Sequence, residues 1–188
     1  MSERADEHSA QTIPGRRHVG RVAIVTGGAL GIGRAYARRL AAEGAIVVIA
    51  DVADASEAVE DIERDGGRAH AVRCDVSSPE DVAQLSRAVA DLGGASIVVH
   101  NAAIFPIGPY EQMTFAEWRH VCPSTLDSMF LLAEAFLPSM REQRWGRIVA
   151  ISSAMVHAGS PGALHYVASK GGIIGFIRSW PGRSDRTA

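Results

Sequence analysis

Val22-Ala23-Ile24-Val25-Thr26-Gly27-Gly28-Ala29-Leu30-Gly31-Ile32-Gly33 passes from an unbroken apolar run into a glycine-rich turn. Successive apolar residues from Val22 to Val25 suit a parallel strand covered on both faces. Arg34-Ala35-Tyr36-Ala37-Arg38-Arg39-Leu40 then re-enters as a helix. Gly27, Gly31 and Gly33 supply small residues where the backbone turns sharply and comes close to a ligand. The N–H groups that open the helix are aimed at a pyrophosphate, and the helix dipole adds to the attraction. The spacing Gly-x-x-x-Gly-x-Gly fits the commoner G-x-G-x-x-G only loosely. A plain turn is the competing reading.

The next strand favours the nucleotide. Ala45-Ile46-Val47-Val48-Ile49-Ala50 ends at Asp51, about 20 residues after the glycine loop, where a dinucleotide fold holds ribose hydroxyls. Asp51 accepts hydrogen bonds from 2′- and 3′-hydroxyls and repels a 2′-phosphate. Val52-Ala53-Asp54-Ala55 follows it with no Lys or Arg, which favours NAD over NADP. The bland alternative is an Asp that caps the following helix.

The 188 residues allow one sizeable core, with a hydrophobic fraction of 47% and a charged fraction of 21%. A net charge of −2 gives no electrostatic case for nucleic acid or an anionic membrane. Cys74 and Cys122 lie far apart with no metal-ligand spacing, so no metal site is expected and both read as reduced thiols of a cytoplasmic protein. No apolar run approaches the roughly 18 residues that span a bilayer, and no hydrophobic signal core is visible. Residues 1–18 are polar and unpatterned and read as a disordered leader.

Beyond Asp51, residues 56–65 read as a short helix stopped by Gly66-Gly67. Ala69 to Cys74 is a third strand that delivers Asp75-Val76. Ser78-Pro79-Glu80-Asp81 is a helix start, with a serine N-cap, proline at N1 and acids facing the dipole. Ala95 to His100 is a fourth strand opening onto Asn101-Ala102-Ala103. Thr114-x-x-Glu117 is a capping box for a long helical stretch to about Met140, kinked at Pro123. Gly146 to Ser153 is a fifth strand, and a last helix runs from Tyr166 to about Ser179. The alternation predicts an α/β fold: a Rossmann-type, doubly wound parallel sheet in three layers. Gly27–Gly33, Asp51, Asp75, Asn101 and Ser153 all fall at strand ends, where such a sheet places its sites.

Tyr166-Val167-Ala168-Ser169-Lys170 sets a tyrosine and a lysine one helical turn apart on one face. An isolated tyrosine titrates near about pH 10, and a neighbouring ammonium stabilises the phenolate, making a usable general acid/base. A purely structural Tyr-x-x-x-Lys is common. Here Ser153 stands upstream at a strand end, where its hydroxyl can hold a substrate oxygen.

From about Gly20 to Ser179 the chain resembles the short-chain dehydrogenase/reductase (SDR) family, through Thr26-Gly-x-x-x-Gly-Ile-Gly33, Asp75-Val76, Asn101-Ala102, Ser153 and Tyr166-x-x-x-Lys170. The resemblance implies Tyr166 as the acid/base, Ser153 as the residue orienting the carbonyl or alcohol, and Lys170 as tuning the tyrosine and binding the nicotinamide ribose. It implies cofactor contacts from Thr26, Gly27, Gly31, Ile32 and Gly33, from Asp75 at the adenine amino group, from Val76 at the adenine face, and from Asn101 and Ala102. Ala103 replaces a family glycine beside the cofactor, and Thr125 replaces the family's catalytic asparagine, keeping the backbone carbonyl that anchors a relay water.

Family members continue to a sixth strand, a Pro-Gly nicotinamide loop and a substrate-covering segment, so the resemblance implies an SDR domain at residues 19–179 lacking its last strands. Residues 180–188 read as an aberrant tail. One GC-rich nucleotide string encodes Trp-Pro-Gly-Arg-Ser-Asp-Arg-Thr-Ala in one frame and the family-like Leu-Ala-Gly-Glu-Val-Gly-Pro-His-Gly in the next, so the tail is expected to be a frameshift product, the alternative being a natural short variant with a divergent tail. The expected activity is NAD-dependent interconversion of small secondary alcohols and ketones. The alternatives are a 3-oxoacyl carrier-protein reductase and a non-catalytic nucleotide-binding fragment. Family homo-oligomers use the helices at 114–140 and 166–179, and without its last strands this chain is expected to form ill-defined oligomers.

Overall fold

In the computed structural model, which describes residues 16–180, strand β1 (Val22–Thr26) is buried at every position. Its side chains alternate between the two sheet faces, and both faces are covered. Val22 and Ile24 join a cluster with Val82, Leu85, Leu132 and Phe136, while Ala23 and Val25 join another with Ala37, Ala41, Ala58 and Ile62. Burial on both sides explains the unbroken apolar run.

Strands β2 (Ile46–Asp51), β3 (Arg68–Arg73), β4 (Ile97–His100) and β5 (Arg147–Ala150) pair in parallel with β1 in the order β3-β2-β1-β4-β5. Each parallel step needs a crossover. Helices α1 (Gly31–Ala42), α2 (Ser56–Arg64) and α3 (Pro79–Ala90) supply the first three. The chain runs outward from β1 to β3 and then crosses back to β4 on the other side of β1. That reversal opens a crevice at the carboxyl ends of β1 and β4, where an α/β sheet binds its ligand. Among the described residues no helix is long and apolar enough to cross a membrane.

The capping signals are present. Ser78 Oγ accepts from the Asp81 N–H at 3.2 Å, and Thr114 and Glu117 form a reciprocal capping box at the start of α4 (Phe115–Cys122). Past α4 the structure departs from the expected kinked helix. Pro123–Asp127 form a π turn, and α5 (Ser128–Glu142) follows it. Proline has no N–H for the preceding turn, and the wider π turn accommodates that loss while the helix continues.

The fifth strand is shorter than the 146–153 run expected. The Ile151 N–H still donates to His100 at 2.9 Å, but the Ser152 hydroxyl then donates to the Lys170 carbonyl. The chain thus leaves the sheet for a short helix, α6 (Met155–Ala158), and then α7 (Leu164–Arg178). Neither α6 nor the 3₁₀ turn Tyr110–Gln112 had a sequence signal.

Of the segment expected as a leader, residues 1–15 lie outside the described residues, as do residues 181–188 of the tail. Arg17 and His18 both meet Glu43, which is 1% exposed and bonded also by Arg39 at 2.7 Å. The Arg17 hydrogen bond, with help from Arg39, holds the Glu43 carboxyl at about 2 against the opposing pull of its burial.

Two glycines test the packing of the turn. A Cβ on Gly33 would stand 2.0 Å from the Gly27 carbonyl oxygen and 2.7 Å from Asn101 Nδ2, whereas one on Gly175 meets nothing within 4 Å. Gly33→Ala is expected to destabilise the fold by about 1–3 kcal/mol. Gly175→Ala, in the interior of α7, should stabilise by up to about 1 kcal/mol. Denaturant titration of both variants checks the contrast.

Candidate active site

At the carboxyl edge of the sheet, Thr26 Oγ1 accepts the N–H groups of Asn101 and Ala102, each at 3.0 Å, and Asn101 Nδ2 donates back to the Thr26 and Gly27 carbonyls at 3.0 and 3.1 Å. The ends of β1 and β4 are thereby locked together. Thr26 is fully buried beneath the loop. Gly27 has φ +64°, in the left-handed region, and a Cβ there would stand 3.0 Å from Ala102 Cα. Gly31 opens α1, and Ile32 beside it is 66% exposed at the helix start.

A 390 Å³ cavity lies along this edge. Gly27, Asp51, Asp75, Val76, Ala102 and Ala103 line it, with His120 and Ser124 closing it from α4 and the π turn. Asp51 Oδ2 accepts the Ala29 N–H and Oδ1 the Ala53 N–H, each at 3.0 Å. These bonds fix the carboxylate between the glycine loop and the end of β2, and leave it lone pairs for a ligand's hydroxyls. The alternative role, capping α2, is not taken by Asp51: the N-cap residue of α2 is Ala55, with no side-chain cap, and the Ser56 N–H donates to Asp54 Oδ1 at 3.0 Å just before it. Asp75 Oδ1 accepts from the Ser77 hydroxyl at 2.6 Å and the Ser77 N–H at 2.9 Å, which hold its carboxyl below the usual range. Cys74 is buried beneath, and that burial pushes its thiol up to about 11. It is no nucleophile.

Beyond β4 the polar groups continue. Lys170 is 1% exposed, and its Nζ donates to the Ile151 carbonyl at 2.6 Å. Burial lowers this ammonium to about 8. Its Nζ lies 5.7 Å from the centre of the Tyr166 ring, whose other neighbour is the Phe105 ring at 4.5 Å. Ser153, at the start of α6, accepts the Met155 N–H on Oγ at 3.2 Å. Thr125 is fully buried in the π turn that packs on α7, and its Oγ1 has no hydrogen-bond partner.

Sequence reasoning missed His100, which is fully buried at the end of β4. Its Nε2 lies 2.8 Å from Ser128 Oγ, whose own hydroxyl also reaches the Ser124 carbonyl at 2.9 Å. Burial, with the Lys170 charge adding to it, lowers the imidazole to about 4, so it is neutral at physiological pH. His120, Ser124 and Ser152 also went unrecognised, because only tertiary packing brings them to this edge. Two larger hollows, of 530 and 500 Å³, lie by α5, β5 and the end of α7, where Leu137, Arg141 and Trp180 line both. They hold none of the expected site residues.

Residues 21–184 match the short chain dehydrogenase family model. The chain is 36% identical over 164 residues to the 3-oxoacyl acyl-carrier-protein reductase FabG of Aquifex aeolicus, covering 85% of this chain and 66% of that protein. It is 41% identical over 162 residues to cis-4-hydroxycyclohexanecarboxylate dehydrogenase of Sinomonas cyclohexanicum, covering 85% of this chain and 65% of that protein. The chain thus spans about two thirds of the length of these curated relatives. A structure assigned as a short-chain alcohol dehydrogenase from Sinorhizobium meliloti 1021 superposes with a TM-score of 0.83 at 34% identity, over 88% of this chain and 67% of the other. A metagenomic short-chain oxidoreductase in complex with NADP does so with a TM-score of 0.81 at 34% identity, over 86% and 74%.

His100 makes stability depend on pH. Its folded value of about 4 lies below the 6.5 of a free imidazole, so between those pH values the unfolded chain binds more protons. Stability is complete above about pH 6.5 and falls by about 3 kcal/mol as pH drops to 4. Urea unfolding from pH 7.5 to 4 should show this slope, and His100→Asn should flatten it.

Proposed function

The chain belongs to the short-chain dehydrogenase family, and on that premise we propose that it interconverts a small secondary alcohol and a ketone, with NAD(H) as the hydride carrier. One observation carries the reading: a buried ammonium, Lys170, sits 5.7 Å from the centre of the Tyr166 ring, on the turn of α7 facing the site edge. Burying a charge is costly unless it is partnered, and Lys170 has a single carbonyl and the phenol beside it to justify its place.

The residues present fit a dinucleotide. A Cβ on Gly27, Gly28 or Gly33 would crowd its neighbours while Gly31 stands open, the first N–H groups of α1 would take the pyrophosphate, and Asp51 offers acceptors to ribose hydroxyls. Asp75 and Val76, which line the same cavity as Ala103, would meet the adenine. When bound, the nicotinamide supplies or receives the hydride. Ser153 then holds the substrate oxygen through its hydroxyl. Tyr166 passes the proton to or from that oxygen, and the Lys170 ammonium stabilises the phenolate left behind. Thr125 offers its backbone carbonyl from the π turn to a water of the proton relay. The thiols Cys74 and Cys122 support a cytoplasmic setting.

A second reading of the cofactor rests on Arg73, the register partner of Asp51 in the adjoining strand, which is a candidate cation for a 2′-phosphate. The NADP in the metagenomic relative is in keeping with it. On the substrate side, the FabG relatives support 3-oxoacyl carrier-protein reduction as the alternative.

Isothermal titration is expected to give tighter binding of NADH than of NADPH, with Asp51→Ala narrowing the difference. Tighter NADPH binding that Arg73→Ala weakens selects the second reading. Turnover is followed at the NADH absorbance with cyclic ketones, aryl ketones and an acetoacetyl thioester. Tyr166→Phe should cut it by about 10²-fold or more while leaving cofactor affinity nearly unchanged. Cofactor binding without turnover on any of these would identify a nucleotide-binding fragment in place of an enzyme.

A further inference from the structure

Helix α7 carries both Tyr166 and Lys170, yet it starts without a side-chain cap, because its N-cap residue is Ala163. The first-turn N–H groups of a helix have no partner within it. The Val167 N–H makes the bond to Ala163 at 2.9 Å that begins the helical ladder, so the Tyr166 N–H precedes that ladder. Its acceptor is the ring of its own neighbour: His165 Nδ1 receives it at 2.8 Å. His165 is 3% exposed, and its carbonyl is fixed by the Ser169 hydroxyl at 2.8 Å.

This bond determines the state of the ring. A backbone N–H only donates, so Nδ1 carries no proton and the ring hydrogen is on Nε2. The ring borders a 290 Å³ hollow shared with Pro106, Gly108, Gln112, Met113 and Glu117. Glu117, from α4, is the other titratable residue of that lining, and the loop before α4 contributes the neutral Gln112. The Glu117 carboxylate is engaged by the Thr114 N–H at 2.7 Å and hydroxyl at 3.0 Å. Lys170, one turn further along α7, is bound to the Ile151 carbonyl.

We propose that His165 is a positioning residue for Tyr166: its neutral ring holds the first turn of α7, and protonation of the ring releases that hold. An imidazolium has two donors and no acceptor, so it would face the Tyr166 N–H donor to donor and set a positive charge at the positive end of the helix dipole. The loss of that acceptor makes the placement of the tyrosine responsive to pH. The role in turnover rests on the proposed dehydrogenase reaction, whereas the hold itself does not.

The test reads the Tyr166 amide of the whole chain by hydrogen exchange, without cofactor or substrate, so it needs no turnover. At pH 8 the amide should be protected, with long-range ¹H–¹⁵N spectra showing an unprotonated Nδ1. On acidification its protection, corrected for intrinsic exchange, should fall at least tenfold as the His165 ring titrates, while the Ser169 amide stays protected. His165→Phe should lose the protection at every pH. His165→Asn, which keeps an acceptor that does not titrate, should hold it without pH dependence. Protection that is unchanged in His165→Phe, flat with pH in the wild type, or accompanied by an Nδ1–H tautomer would overturn the proposal. Should His165→Phe fail to fold, the wild-type titration and His165→Asn decide. In turnover, an acid fall in kcat with cofactor KM unchanged should be present in the wild type and absent in His165→Asn. An inactive chain with intact pH-dependent protection refutes the dehydrogenase reading and leaves the hold standing.

Discussion

The reciprocal lock between Asn101 and Thr26 is the constraint on which the rest of the active edge depends. Asn101 gives its amide to two successive carbonyls at the end of β1, and Thr26 returns one hydroxyl oxygen to two successive N–H groups at the end of β4. Backbone groups at the end of a strand have lost their ladder partners and must find others when buried. Here each strand end satisfies the other. The lock also fixes the Gly27 carbonyl, which leaves no room for a Cβ on Gly33. Loop, helix start and crevice follow from this one exchange.

The far side of the edge is organised by a different necessity, the housing of buried polar groups. Lys170 and His100 are both almost without solvent, and they meet through Ile151, whose N–H bonds the His100 carbonyl and whose carbonyl takes the Lys170 ammonium. Burial disfavours the charged form of each, and the ammonium raises the cost of a second positive charge on the imidazole. One cation is therefore held in place by a neutral neighbour. A dinucleotide and a tyrosine that gives up its proton both suit this setting, since a positive charge in a low-dielectric site acts strongly on a developing negative one.

The aromatic contact between Phe105 and Tyr166 joins these two halves. Phe105 leaves β4 just past the lock, and its ring meets the tyrosine of α7 at 4.5 Å. Helix α7 thus meets Phe105 at Tyr166, has the Tyr166 N–H bonded to the His165 ring at its start, and binds the Ile151 carbonyl through Lys170 one turn on. Its anchorage combines one aromatic contact with two polar ones.

The sequence by itself determined the sheet and the edge where the candidate site lies. Apolar runs of strand length, glycines at a turn, an acid after β2 and capping residues at α3 and α4 are local signals, and local chemistry is enough to interpret them. The positions of Asp51, Asp75 and Asn101 at or just past strand ends follow from the same pattern, whereas Ser153 lies beyond β5 by α6. Only the tertiary structure decided that Thr26 ties the ends of β1 and β4 together, that Pro123 widens a helix into a π turn, that β5 stops at Ala150, and that His100 and His165 are buried near Lys170 and Tyr166. Those outcomes depend on groups that are distant in sequence competing for the same donors and acceptors. A histidine in particular looks alike in any sequence, and its burial and its partner, settled only when helices and strands close on one another, give it a role.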